Sequence, residues 1–123
     1  MRLSNYKELS VWQKSFAITL KIYTITDNFP KHELYGLTSQ IRRASVSIPS
    51  NIAEGYSRNH IKEYLQHLSI AYGSLSELET QLLLAKALKY INEEHAETLF
   101  NEIAEIGRML YGLKNSLKTK LAS

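Results

Sequence analysis

A chain of 123 residues is one domain's worth of sequence, long enough to bury roughly two-thirds of its unfolded surface in a core. The absence of cysteine excludes a disulfide framework, a thiolate zinc site and a thiol nucleophile. An apolar content of 44% with 22% charged residues excludes wholesale disorder. The net charge of +3 is unevenly laid out. Residues 1–62 carry nine Lys/Arg against four Asp/Glu, residues 63–105 two Lys against eight Glu, and residues 106–123 four Lys/Arg and no acid. A basic half and an acidic half can draw in anionic partners or dock on copies of the same chain, and solvated helix faces are the plain alternative. The opening MRLSNYKELSV lacks the apolar run of a secretory signal, and no stretch nears the ~20 apolar residues that span a membrane. A cytoplasmic protein is expected.

Apolar spacing predicts four helices, at about 9–27, 34–56, 60–88 and 93–118, and no segment alternates with period two. In the first, Leu9, Trp12, Phe16, Leu20 and Tyr23 form the main apolar face, with Ser10 and Gln13 as a capping box. Asn28-Phe29-Pro30 ends it. The second carries Leu34, Leu37, Ile41, Ala44, Ile48 and Ile52, with Gly55 at the place of a C-terminal cap. The third, with Asn59 as its N-cap, has Tyr64, Leu68, Ala71, Leu75, Leu78, Leu82 and Ala85 at gaps of four and three. The fourth repeats that pattern from Ala96 to Leu117, capped by Asn92 and opened by Glu93 and Glu94, which suit the positive end of the helix dipole. The expected fold is all-α, an antiparallel up-down four-helix bundle.

Two helices are apolar over more than one stripe. Val11, Ile18, Ile22 and Ile25 lie about 100° round from the main face of the first helix, and Phe100, Ala104, Gly107 and Tyr111 flank the heptad stripe of the fourth. One bundle core uses a single stripe per helix, so the surplus predicts a subunit interface and a homo-oligomer.

Candidate phosphate-binding residues are Arg42, Arg43 and Arg58, with Lys62, and Lys14 and Lys21 seven apart on one face of the first helix. Tyr56 and Tyr64 bracket Arg58 and Lys62 and are candidates to stack on unpaired bases, although Tyr64 also fits the core. Arg43 equally suits an ion pair with Glu54, Glu77 or Glu79. For a metal the signals are poor: His60 and His67 stand two turns apart, roughly 10 Å along the axis, and His32 and His95 are isolated. No GxSxG elbow, glycine-rich phosphate loop or Walker pattern occurs, and Glu77 and Glu79 diverge by about 200°. No metal, cofactor or catalytic residue is assigned.

Residues 40–55, QIRRASVSIPSNIAEG, break the helical rules. Pro49 removes a backbone bond and crowds the carbonyl of Ser45, while Ser45, Ser47, Ser50 and Asn51 are poor helix formers able to bond freed backbone groups. A kinked helix repaired by these hydroxyls is expected. Here the chain resembles the small bacterial four-helix bundle family encoded by intervening sequences within 23S ribosomal RNA genes, a family related to the accessory proteins of diversity-generating retroelements. Leu9 to Gln13, Phe29-Pro30 with Glu33, Gly36 to Ala44, and Ser47 to Gly55 carry the resemblance, together with Ile70 to Leu75 and Glu77 to Gln81. Within them Gln40, Ser47, Pro49, Asn51, Glu54 and Gly55 form the structural motif.

The resemblance implies a ring-shaped homo-oligomer, with pentamers among relatives, no established catalytic activity, and RNA or a reverse transcriptase as partners of the retroelement branch. The expected function is a non-enzymatic homo-oligomeric scaffold that binds RNA through basic residues of the first two helices. A protein-interaction adaptor, such as a reverse-transcriptase accessory subunit, is the alternative. A hydrolase built on the polar cluster around Pro49 stands third.

Overall fold

The computed structural model describes residues 5–122. The first four residues of the amino-terminal stretch read above, Arg2 of the basic half among them, lie outside the described residues, as does Ser123. Four helices follow one another: α1 Ser10–Thr26, α2 Leu37–Tyr56, α3 Ile61–Ala87 and α4 Glu93–Ala122. They pack antiparallel around a square, α1 on α2, α2 on α3, α3 on α4 and α4 back on α1, with the diagonal pairs held apart by the core. No helix among the described residues is long and apolar enough to cross a membrane.

On α3 and α4 the heptad stripes form the core: Leu68, Leu75, Leu78 and Leu82 face Leu99, Ile103, Ile106 and Leu110, all buried. On α2 it is Ile41, Ala44, Ile48 and Ile52. Each such side chain removed from water contributes about 1.5–3 kcal/mol. The first helix is turned the other way from the expectation. Its buried side is Val11, Ser15, Ile18, Ile22 and Thr26, while Phe16, Leu20 and Tyr23 face outward. The core stripe is interrupted by two hydroxyl residues, which disguised it. Both bury at little cost because Ser15 Oγ donates to the Trp12 carbonyl at 3.0 Å and Thr26 Oγ1 to the Ile22 carbonyl at 2.7 Å.

Helix ends depart from the sequence reading in three places. Leu9, not Ser10, precedes α1, and Gln13 Nε2 donates to the Lys7 carbonyl at 2.8 Å, so no capping box forms. His60 precedes α3 in place of Asn59 and caps nothing with its side chain. The α2 helix starts at Leu37, after a separate 3-10 turn at Lys31–Glu33. From that turn Glu33 accepts the Leu37 N–H at 3.1 Å and the Tyr90 hydroxyl at 2.9 Å, tying the α1–α2 loop to the α3–α4 loop. These two donors hold the Glu33 carboxyl below its ordinary value, and the hydrogen bond that the Tyr90 phenol donates to Glu33, with burial, holds the phenol above its own. Asn92 does cap α4, accepting the His95 N–H at 2.8 Å.

Pro49 lies inside a continuous α2. It has no N–H to give the Ser45 carbonyl, and the replacement comes from the neighbouring helix: Thr19 Oγ1 on α1 donates to that carbonyl at 3.0 Å. The serines of α2 do other work. Ser45 Oγ bonds the Arg42 carbonyl at 2.9 Å, and Ser47 reaches across to α3. Gly55 is not a left-handed cap either, since no glycine among the described residues has positive φ. It is buried where α2 meets α3, and a Cβ there would stand 2.8 Å from Cβ of His67 and 3.3 Å from the Tyr64 carbonyl oxygen. The residue lets two backbones approach.

Candidate functional site

Most of the cations picked out in the sequence are occupied within the chain. Lys14 pairs with Glu105 at 3.1 Å and Lys21 with Glu102 at 2.7 Å, so both tie α1 to α4. Arg42 Nε donates to Thr26 Oγ1 at 2.9 Å, its Nη2 pairs with Asp27 at 3.0 Å, and the guanidinium lies 4.7 Å over the Tyr23 ring. Arg58 pairs with Glu54 at 2.9 Å and reaches Glu63 at 3.7 Å. Arg43 and Lys62 are exposed and make no ion pair within the described residues. The carboxylates considered for Arg43 are otherwise placed: Glu54 serves Arg58, and Glu77 and Glu79 are exposed. Tyr56 and Tyr64 lie edge to face on each other at 6.1 Å, and burial pushes the Tyr64 phenol up to about 12.

The polar motif of α2 becomes a chain of contacts along the α2–α3 seam. Ser47 Oγ lies 2.8 Å from Ser74 Oγ, and the Asn51 amide donates to the Ser47 carbonyl at 2.9 Å and its hydroxyl at 3.1 Å. Asn51 Oδ1 faces His67 Nδ1 at 3.1 Å, and His67 Nε2 stands 3.9 Å from Glu54. Asn51 therefore separates Ser47 from the imidazole, and the base that would activate a serine nucleophile is turned to an amide. Gln40, at the start of the same motif, is exposed. The histidine partner of this cluster was invisible in the sequence because it arrives from α3.

The single chain also leaves large apolar side chains in water. Leu20 is 58% exposed, Phe16 46%, Tyr23 42% and Tyr35 94%. With Trp12, stacked on Phe16 at 5.0 Å, they crown the α1–α2 seam beside Val46 of α2. Two shallow cavities meet at Val46. One of about 320 Å³ runs past Tyr6, Trp12, Phe16 and Pro49, the other of about 580 Å³ past Tyr23, Tyr35 and Arg43. On the opposite side, between α3 and α4, lies a groove of about 330 Å³ whose lining includes Tyr72, Ser76, Glu79, Gly107, Arg108 and Tyr111.

An antiparallel four-helix bundle with a proline-bearing, serine-rich second helix and an uncovered apolar α1–α2 face is the class of protein that these features define. Residues 7–112 match the 23S rRNA-intervening sequence protein family, and the chain belongs to that family. It is similar to a crystal structure from Bacteroides thetaiotaomicron, described as a protein with unknown function from the S23 ribosomal protein family. The TM-score is 0.79 and the identity 25%, over 85% of this chain and 95% of that one. No curated protein matches the chain.

Proposed function

We propose that this protein is a non-enzymatic scaffold that assembles with copies of itself and, as an assembly, holds RNA. The observation that carries the reading is the α1–α2 crown of Phe16, Leu20, Tyr23 and Tyr35, left in water by the single chain. Taking 150–250 Å² for each aromatic ring, Phe16, Tyr23 and Tyr35 alone expose roughly 400 Å². That is already the size of the largest apolar patch on a typical monomer, and such patches mark interaction sites. A ring is the expected closed form, and the resemblance to pentameric relatives favours five copies. RNA enters through Arg43 and Lys62, the two predicted cations that internal pairing leaves free. Two phosphate contacts per chain are weak, and an assembly multiplies them by avidity.

Light scattering on the purified chain at micromolar concentration tests the assembly. A mass several times 14.1 kDa is expected, and a mass at the monomer value overturns the reading. The crown also suits the adaptor reading, in which a reverse transcriptase covers it in place of another copy. That reading requires a neighbouring reverse-transcriptase gene.

A further inference from the structure

The two cavities that meet at Val46 differ in charge. The one along Trp12, Phe16, Leu20 and Pro49 has no charged side chain in its lining. The other, of about 580 Å³, brings Arg42 and Arg43 together with Tyr23 and Tyr35, and no carboxylate lines it. We propose that this second cavity takes one unpaired nucleotide of single-stranded RNA, with Tyr35 stacked on the base and Arg43 on the phosphate. The inference rests on the RNA binding proposed above and names the form of RNA that is held. Assembly through the Phe16 and Leu20 half of the crown leaves this half open to it.

Arg42 and Arg43 are neighbours put to opposite uses. Arg42 is spent within the chain, on Thr26 Oγ1, Asp27 and the Tyr23 ring. Arg43 lies about 100° further round the helix. It is exposed and forms no ion pair among the described residues. The two acids of the adjoining α1–α2 loop are already engaged, Asp27 by Arg42 and Glu33 by the Leu37 N–H and the Tyr90 hydroxyl. A guanidinium with its donors unused, in a cavity that no carboxylate lines, suits a phosphate, whose oxygens it can bond in pairs.

The ring beside it has no structural use. Tyr35 is 94% exposed, so the fold gains almost nothing from its side chain. Tyr23, in the same cavity, has its ring under the Arg42 guanidinium at 4.7 Å, which leaves Tyr35 as the ring open to stacking. An uncovered aromatic ring sharing a cavity with an unpaired arginine is the combination that holds single strands, base on ring and phosphate on cation. A paired base is stacked between its neighbours and offers no face to Tyr35, so the site separates unpaired from duplex RNA. Ser39, half-buried in the same lining, offers its hydroxyl to the edge of the base. A volume of about 580 Å³ falls within the ~300–1,000 Å³ of sites that hold small organic groups.

Fluorescence anisotropy tests this with a short mixed-sequence RNA, used alone and annealed to its complement. Wild type is expected to prefer the single strand. Tyr35→Ala, which removes a ring that packs against almost nothing, is expected to keep the wild-type mass in light scattering and the wild-type circular dichroism. Its affinity for the single strand should fall at least about 5-fold, the lower end of what one base–ring stack contributes, while duplex binding stays as it was. Its salt slope should not change, because the ring neutralises no phosphate. Tyr35→Phe keeps the ring and should restore the preference. Arg43→Gln should instead lower the single-strand salt slope by about 0.7. A Tyr35→Ala protein that weakens on both RNAs equally, or on neither, overturns the nucleotide site and leaves RNA binding standing. A Tyr35→Ala protein that loses its assembly also overturns it, since the ring then belongs to an interface between copies. Wild-type protein that binds neither RNA at low salt overturns both this site and the RNA reading.

Discussion

The hydroxyl of Thr19 resolves a difficulty that Pro49 creates one helix away. A proline in a helix interior costs about 3 kcal/mol or more, part of it from the carbonyl left without a donor. Here that carbonyl, on Ser45, is met at 3.0 Å by Thr19 Oγ1, whose single proton it shares with the Ser15 carbonyl at 2.8 Å. Thr19→Val keeps the shape and removes the donor, so the buried carbonyl is left unmet, at a cost of about 1–3 kcal/mol. Thr19→Ser keeps most of the stability. The sharper measurement is the double variant. With Pro49→Ala the backbone supplies the missing N–H, so Thr19→Val costs much less in that background, and urea unfolding of the four proteins yields the coupling. Equal costs in both backgrounds would show that Thr19 does not serve the proline. The sequence displayed the proline and the carbonyl it frees. It did not display the donor, because a hydroxyl 26 residues away becomes adjacent only when α1 packs on α2.

At the scale of elements, period alone located four helices, since gaps of four and three persist along α3 and α4 with nothing to interrupt them. Facing was harder. On α1 two stripes compete, and the larger residues, Trp12, Phe16 and Tyr23, outweigh Ile18 and Ile22 in any count of apolar volume. The core takes the second stripe because Ser15 and Thr26 close their own hydrogen bonds there. Gly55 shows a related limit. A glycine near a helix end suggests a cap, yet this one marks the crossing of α2 and α3. Gly55→Ala gains about 1 kcal/mol of helix propensity but forces a methyl group against His67 and the Tyr64 carbonyl, an overpacking cost of about 1–3 kcal/mol. A net loss of about 1 kcal/mol, near 4 °C in Tm, is expected. Gly73 and Gly112 are helical glycines with no neighbour within 4 Å of a built Cβ. Alanine at either raises Tm by a similar amount, and calorimetry on the three variants checks the contrast. A neutral or stabilising Gly55→Ala would remove the close-approach explanation.

For the whole molecule, charge matters less as a total than as a set of side chains still free after folding. Lys14 and Lys21 serve the α1–α4 seam, where exposed pairs contribute about 0.2–1 kcal/mol each, and Arg42 serves the α1–α2 corner. Of the cations picked out in the sequence, Arg43 and Lys62 are left to serve the RNA binding proposed above, and so few contacts call for the proposed assembly too. Each phosphate contact adds about 0.7 to the slope of log affinity against log salt for a single strand. Arg43→Glu with Lys62→Glu should flatten that slope and abolish binding, while Lys14→Ala with Lys21→Ala leaves both nearly unchanged. A Leu20→Glu chain, with a charge set in the exposed apolar crown, retains both cations and is expected to display them singly. If avidity supplies the affinity, its binding at physiological salt falls by 10²-fold or more and its salt slope falls to that of one subunit's contacts. Filter binding across a salt series, on wild type and on this variant, distinguishes the cases. A monomeric variant that binds RNA as tightly as the assembly would place recognition in the single bundle and remove the reason for a scaffold.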